Sequence, residues 1–332
     1  VIKESLLEIL RNWRGEYVSG VEISSRLGVS RTAIWKWVKL LRDEGYVIES
    51  RSRTGYRLVG IPDLLLPQEL GPGLRCLVVG KKIVHAPEVV STNTWARELA
   101  AGGAPEGTVV MADSQTGGKG RLGRKWFSPP GIGIWMSVVF RPQFPPYLAP
   151  RLTLTAAVAI CRAVEELTGV RPGIKWPNDV LLHNRKVGGI LLEMSAEVDR
   201  IAYLICGIGL NVNQTRELFP PDLHEKAGSL RTELGREIHR VELARLVLEH
   251  LEQEYLELID GKWHAVLDRW RSFSVTEGKQ VSVAFPDGSF TGEATGVDGD
   301  GHLIVRRNDG ALVTVLTGDV EFLSQAAGGR GT

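Results

Sequence analysis

Gly117-Gly118-Lys119-Gly120-Arg121-Leu122-Gly123-Arg124-Lys125-Trp126 places four glycines and four cations in ten residues, and its surroundings decide which fold can carry it. Read literally, Gly118-x-Gly120-x-x-Gly123 satisfies the dinucleotide fingerprint. That fingerprint needs its third glycine to open a helix whose N-terminus meets a pyrophosphate, with an acid about 20 residues further on for a ribose. Both requirements fail: Ser128-Pro129-Pro130-Gly131 cannot continue a helix, and no Asp or Glu occurs from Ser114 to Val164. A Walker A loop fails because Lys119 precedes Gly120 rather than Ser or Thr and Asp113 stands where its first glycine belongs. A kinase glycine loop has no H-R-D or D-F-G companion here. The surviving reading is an anion cradle, in which glycines let backbone N–H groups approach a ligand and cations neutralise it. Lys119, Arg121, Arg124, Lys125, Arg141, Arg151 and Arg162 all fall in the acid-free stretch. Such a loop is expected to be mobile when empty and to fold over its ligand when negative charge arrives. The plainer alternative is a flexible basic surface loop.

Because the net charge of the 332-residue chain is only +1, affinity for a polyanion has to come from such clustering. The length predicts two or three domains. Cys76, Cys161 and Cys206 form no C-x-x-C pair and suit a reducing compartment. The histidines show no zinc spacing. No leader pattern and no apolar run near 18 residues is found, so a cytoplasmic protein without a membrane span is expected.

In the first sixty residues, Ile2, Leu6, Leu7, Ile9 and Leu10 recur at helical spacing up to Gly15. A second helix fits Val21 to Leu27 with Gly28 behind it, and Ser30 stands as N-cap of a third. There Ile34, Trp37, Val38 and Leu41 share one stripe, while Thr32, Trp35, Lys36 and Lys39 fall opposite. Tyr46, Ile48, Tyr56 and Leu58 then flank a basic hairpin tip. Three helices and a basic hairpin resemble the winged helix-turn-helix, in which the helix bearing Arg31, Thr32, Trp35, Lys36 and Lys39 enters a major groove and Arg51 and Arg53 reach phosphates. A small protein-interaction domain is the competing reading; Trp35, exposed by the DNA-binding reading, is the residue the competing one explains worst. Pro62, Pro67 and Gly71-Pro72-Gly73 mark a boundary.

Further along, Val109 to Ala112 is a strand that delivers Gln115 to the loop. Lys175-Trp176-Pro177-Asn178-Asp179 leads into a hairpin whose return strand starts at Lys186, with Asn178-Asp179 at the other end of the ladder. Ile201 to Gly207 runs into Gly209-Leu210-Asn211-Val212-Asn213. Leu152 to Leu167 is an apolar helix, and Val241 to Trp270 is helical with a break at Gly261-Lys262. Strands at Val281 to Phe285, Gly292 to Val297, His302 to Arg306 and Leu312 to Leu316 are separated by Asp287-Gly288, Asp300-Gly301 and Asp309-Gly310 turns. The expected class is α+β and multidomain.

In their order, Ser91-Thr92-Asn93-Thr94, Gln115, G-K-G-R-L-G-R-K-W, K-W-P-N-D, R-K-V-G-G-I-L and G-I-G-L-N-V-N resemble the biotin protein ligases over essentially residues 1 to 325. With the winged helix in front, the chain looks like the bifunctional bacterial type, ligase and biotin operon repressor together. The resemblance implies a winged helix-turn-helix over 1–60, a linker over 61–73, an α+β catalytic domain with a class II synthetase-like mixed sheet over 74–270, and an SH3-like barrel over 271–326. It implies ATP, Mg2+ and biotin, a biotinyl-5'-AMP intermediate that is also corepressor, and transfer to a lysine of a biotin carboxyl carrier protein. It further implies a homodimer formed on ligand binding that recognises operator DNA.

By the same similarity, Ser91, Thr92, Asn93, Gln115, Lys119, Gly120, Arg121 and Lys186 belong to the biotin site, with Arg121 and Lys186 catalytic. Arg121, Arg124, Trp126, Asn178 and Asn211 belong to the adenylate site, and Asp179 stands near magnesium. Trp126 reads either as core or as ligand wall. Many relatives carry G-R-G-R-x-G-R, often with Arg at x, where this chain has Lys119 and Leu122. A repressor with a dead enzyme domain conflicts with the intact Arg121, Lys186 and K-W-P-N-D. A lipoate-type ligase gives no account of the winged helix or the G-K-G-R loop.

Overall fold

Short caps set the first helices. Ser19 accepts a hydrogen bond from Glu22 N (3.1 Å) at the start of α2 (Gly20–Leu27), which Gly28 ends at φ 66°. Ser30 accepts from Ala33 N (3.2 Å) at the start of α3 (Arg31–Asp43). With α1 (Ile2–Asn12) they bury Leu6, Leu10, Ile23, Ile34, Val38 and Leu41 in one core. The hairpin β1 (Val47–Arg51) and β2 (Gly55–Gly60) is antiparallel and adds Ile48 and Leu58 to that core. The Arg42 guanidinium ties α3 to it by donating to Ile48 O and to Ser50 Oγ (2.6 Å). Trp37 is only partly buried, a smaller share than its place on the apolar stripe implies.

The computed structural model describes residues 2–13, 15–285 and 288–323, which form two compact units divided between Leu64 and Leu65. Asp287, in one expected turn, lies outside the described residues, as do 324–326 at the end of the expected barrel. In the larger unit, the span expected as linker contains α4 (Pro67–Leu70), and Leu65 and Leu70 belong to the main core.

The larger unit is built on β3 (Ile83–Val89), β4 (Val109–Gln115), β5 (Gly133–Phe140), β6 (Gly173–Lys175), β7 (Asp179–Leu182), β8 (Arg185–Ala196) and β9 (Ile201–Asn211). Their order is β3-β4-β5-β9-β8-β7-β6, parallel only between β3 and β4. Side chains alternate between faces along a strand, and the burial follows. Val110, Val139 and Ile205 pack with Ala96 and Ala100 of α5 (Thr92–Ala101), whereas Val109, Val138, Leu204 and Cys206 join the main core. That core takes in α6 (Pro150–Thr168), α8 (Arg240–Ile259) and α9 (Trp263–Phe273), with the short α7 (Leu230–Leu234) between α6 and α8. By length and composition Pro146–Thr168 passes as a membrane span, but 67% of its apolar window is buried in the fold, as a central core helix requires.

At the C-terminal end β10 (Gln280–Phe285), β11 (Gly288–Val297), β12 (Leu303–Arg307), β13 (Leu312–Val315) and β14 (Asp319–Phe322) form an antiparallel sheet ordered β13-β12-β11-β10-β14. Sequence periodicity anticipated four of these strands and missed β14, whose four residues bury only Val320. Val281, Val283, Val305 and Val320 continue the core of the central sheet. Two indoles pin the β11–β12 turn, Trp176 Nε1 donating to Gly301 O (2.9 Å) and Trp263 Nε1 to Gly299 O (2.7 Å). Trp176 N also donates to Thr276 Oγ1 (2.9 Å). The tryptophan of K-W-P-N-D therefore fastens the barrel to the sheet.

Candidate active site

Strand β4 carries Gln115 to the top of the sheet, where its side chain does the work of a helix cap. Its Oε1 accepts from Thr92 N (2.8 Å) and Thr92 Oγ1 (3.2 Å) in the first turn of α5, and its Nε2 donates to Ser128 Oγ (2.8 Å). An orphan N–H at a helix start is thereby satisfied. Below, Ser137 Oγ lies 2.7 Å from Asn93 Oδ1, and Asn93 Nδ2 donates to Glu193 (2.8 Å) and to Leu191 O (3.2 Å). A Cβ on Gly207 would stand 2.0 Å from Asn93 Oδ1, and one on Gly209 2.5 Å from Trp126 Nε1. Glycine at both positions lets the polar cluster and the indole lie flat on β9.

The glycine loop folds back on itself, with Gly120 N donating to Arg124 O (2.7 Å) and Trp126 N to Gly118 O (2.9 Å). Leu122 turns the tip at φ 55°. One of the loop's cations meets a negative charge that the protein itself supplies. Arg124 pairs with Asp319 of β14, while Arg121 donates to Gly318 O (3.0 Å) and Asn178 Oδ1 (3.2 Å). Burial lowers the Arg121 pKa, partly offset by Asp319 and Asp179.

Opposite the loop, Asp179 and Lys186 stand at different ends of the β7–β8 ladder by register, Asp179 facing Gly189 and Lys186 facing Leu181. Their side chains nevertheless meet, Lys186 Nζ lying 2.6 Å from Asp179 Oδ1 and 5.2 Å from the centre of the Trp126 ring. Asn178 Nδ2 donates to Ile190 O (2.9 Å), which turns its Oδ1 to Arg121. Asn211 Nδ2 donates to Gly228 O (3.0 Å) and so holds the segment after β9.

These groups surround one cavity of about 500 Å³, within the range of small-molecule sites. Ser91, Thr92, Asn93, Gln115, Lys119, Gly120, Arg121, Arg124, Trp126, Asn178, Asp179, Lys186 and Asn211 all line it. Trp126 is both wall and floor packing, and among the described residues its buried Nε1 has no partner. Residues that the sequence reading passed over line it too: Lys175, Phe219, Leu223 and Ala227, and Asp319 and Phe322 of the barrel. Only Lys175 carried a signal, as the first residue of K-W-P-N-D.

In the smaller unit, Arg31, Thr32, Trp35, Lys36 and Lys39 are all exposed on α3, Trp35 at 54%, and Arg51 and Arg53 are exposed on the hairpin. Asp298, Asp300 and His302 cluster at a turn of the barrel, where Asp298 Oδ1 accepts from Asp300 N and His302 N (both 2.9 Å). That is the geometry of a turn stabilised by its own aspartate.

Comparison with known proteins shows the family and agrees with the fold. The Biotin/lipoate A/B protein ligase family matches residues 86–211, an HTH domain residues 3–57 and the Biotin protein ligase C terminal domain residues 276–323. The bifunctional ligase/repressor BirA of Bacillus subtilis is 39% identical over 321 residues, covering 97% of this chain and 98% of that protein. Its namesake from Escherichia coli is 29% identical and covers 96% of each. The biotin protein ligase of Aquifex aeolicus in complex with biotin and ATP superimposes with a TM-score of 0.64 at 29% identity, over 73% of this chain and 99% of that one. With 39% identity across nearly the full length of both chains, this chain belongs to the biotin protein ligases of the bifunctional ligase/repressor type.

Proposed function

We propose that the chain joins biotin to ATP and passes the biotinyl group to a lysine of a biotin carboxyl carrier protein. In the first step the biotin carboxylate oxygen attacks the α-phosphorus, the bond to the β-phosphate breaks, and pyrophosphate leaves. In the second the lysine amine attacks the acyl carbon, the acyl–phosphate bond breaks, and AMP leaves.

The difficulty of the first step is bringing a carboxylate to a polyanion, which demands cations set in place beforehand. The observation that carries the reading is the convergence of Arg121, Arg124 and Lys186 on one cavity beside the Ser91–Asn93 and Gln115 cluster. Arg121 and Lys186 serve as the catalytic cations, and Arg124 faces the phosphates. The Gln115 and Asn93 networks hold the polar end of the biotin pocket rigid, with Ser91, Thr92, Lys119 and Gly120 along its wall. The buried Nε1 of Trp126, without a partner among the described residues, suits a ligand that brings an acceptor. Asn178 and Asn211 fix the phosphate and nucleotide ends. Magnesium would enter on the nucleotide, and a single carboxylate suits an ion held mainly by phosphates and water. Asp179 would hold it, one of its oxygens being already paired with Lys186.

The smaller unit binds operator DNA, its α3 face in the major groove and Arg51 and Arg53 on phosphates. Biotinyl-5'-AMP acts as corepressor by favouring a homodimer on a two-fold operator. The cytoplasm supplies ATP, carrier and DNA together, and three free buried cysteines accord with it.

Incubation with ATP, magnesium, a carrier domain and labelled biotin or labelled lipoate tests the reading. Label is expected on the carrier from biotin alone; transfer from lipoate, or from neither acid, overturns it.

A further inference from the structure

Lys175 ends β6 directly opposite Asp179 of β7. It is partly buried and lines the cavity. Among the described residues its ammonium meets no hydrogen-bond acceptor and no carboxylate at ion-pair distance; the ring of Phe322 on β14 lies 5.3 Å from Nζ. Its neighbours differ. Lys186 has Asp179, Arg121 has Asn178 and Gly318, and Arg124 has Asp319. A cation drawn out of water without an acceptor is costly and is kept where something brings the missing charge. Burial lowers the Lys175 pKa as its first cause, with Lys186 adding to it and Asp179, Asp319 and Glu321 opposing it, which is the same strain seen as protonation.

Position says which charge is missing. Lys186 and Lys175 flank Asp179, Lys186 against the Trp126 ring and Lys175 against the Phe322 ring of the barrel. Lys186, beside the Trp126 ring, is a catalytic cation at the carboxylate and α-phosphorus in the proposed function, on which this inference rests. The Phe322 side is then one step further along the nucleotide. We propose that Lys175 is a ligand of the β- and γ-phosphates, acting in the activation step by holding the pyrophosphate as it leaves and having no part in transfer to the carrier. Phe322 positions it by a cation–π contact.

Two half-reactions separate this role from a structural one. In K175M the KM for ATP is expected to rise and the rate of pyrophosphate release to fall, together about ten- to a hundredfold, the size of one charge-assisted bond. The KM for biotin and the single-turnover transfer from synthetic biotinyl-5'-adenylate to a carrier domain stay as in the unsubstituted protein, and K175R recovers part of the loss. Equal losses in both half-reactions, or none in either, overturn the proposal. Binding of inorganic tripolyphosphate, measured by calorimetry, is expected to weaken at least tenfold in K175M. Unchanged tripolyphosphate binding sinks the assignment of Lys175 alone, whereas an unsubstituted protein that forms no adenylate from biotin sinks the functional reading beneath it.

Discussion

Gly207→Ala is expected to break the polar cluster beneath the cavity without replacing any charged residue. The added methyl would stand 2.0 Å from Asn93 Oδ1, 2.8 Å from its Cγ and 3.0 Å from its Nδ2, so the whole carboxamide has to move. It then gives up the contacts with Ser137 (2.7 Å), Leu191 O (3.2 Å) and Glu193 (2.8 Å). Two neutral bonds at roughly 0.5 to 1.5 kcal/mol each and one to a carboxylate at roughly 1.5 to 3 sum to about 2.5 to 6 kcal/mol. Glu193 is only partly buried and water restores some of its share, which sets the expectation near the lower end, about 3 kcal/mol. In a unit of this size that is a fall in Tm of roughly 6 to 12 °C. Calorimetry of Gly207→Ala, Asn93→Ala and the double variant checks the cause as well as the size. Asn93→Ala removes the same bonds and the clash with them, so the double variant should cost little more than Asn93→Ala, a coupling of about 2 kcal/mol or more. Costs that simply add, or a Gly207→Ala protein that melts with the parent, refute the reasoning.

Lys186→Met leaves Asp179 without its 2.6 Å partner and should lower biotin-dependent pyrophosphate release by about a hundredfold, in line with one charged contact to the reacting groups; a rate near that of the parent excludes it from the chemistry. Arg51→Ala and Arg53→Ala should each lower the salt slope of duplex DNA binding by about one while leaving biotin transfer intact, and an unchanged slope removes that arginine from the phosphate contacts. Asp319→Asn frees Arg124, so trypsin should cut the ligand-free loop several-fold faster, with biotin and ATP restoring protection; equal cleavage shows that the barrel does not hold the loop.

How far the sequence reached depends on distance along the chain. Loop, hairpin and strand-end motifs are visible by short spacing, but only their joint resemblance to the biotin protein ligases singled out Arg121, Asn178, Lys186 and Asn211, all of which line the one cavity described. Asp179 and Lys186 looked separated by a ladder; the diagonal reach of side chains across two strands brings them together. Gly318, Asp319 and Phe322 were invisible because β14 is four residues long and lies far from the loop it contacts, too short for a period-2 pattern to register. Phe219, Leu223 and Ala227 belong to a segment with only brief helical turns, where periodicity says nothing. Trp176 is the instructive case: it sits inside a motif that reads as chemistry, yet its indole N–H goes to Gly301 O at 2.9 Å, so it seats the barrel while Lys175, Asn178 and Asp179 of the same motif line the cavity.

The barrel's hold on the glycine loop is of a strength suited to exchange. The Arg124 side chain is 63% exposed and that of Asp319 22%; a pair so open to water and salt is worth about 0.2 to 1 kcal/mol. The Arg121 bond to Gly318 O, being to a neutral acceptor from a charged donor, adds roughly 1.5 to 3 kcal/mol at most. Two arginines gripping a polyphosphate in bidentate geometry would gain more than that, so a nucleotide bound as proposed would displace Asp319 rather than be excluded by it. The ordering cost of a glycine-rich loop, about 1 kcal/mol or more per residue fixed, is then shared between the empty and the loaded protein instead of falling wholly on ligand binding. A tighter barrel contact would resist the substrate, and none at all would make each binding event order the loop afresh.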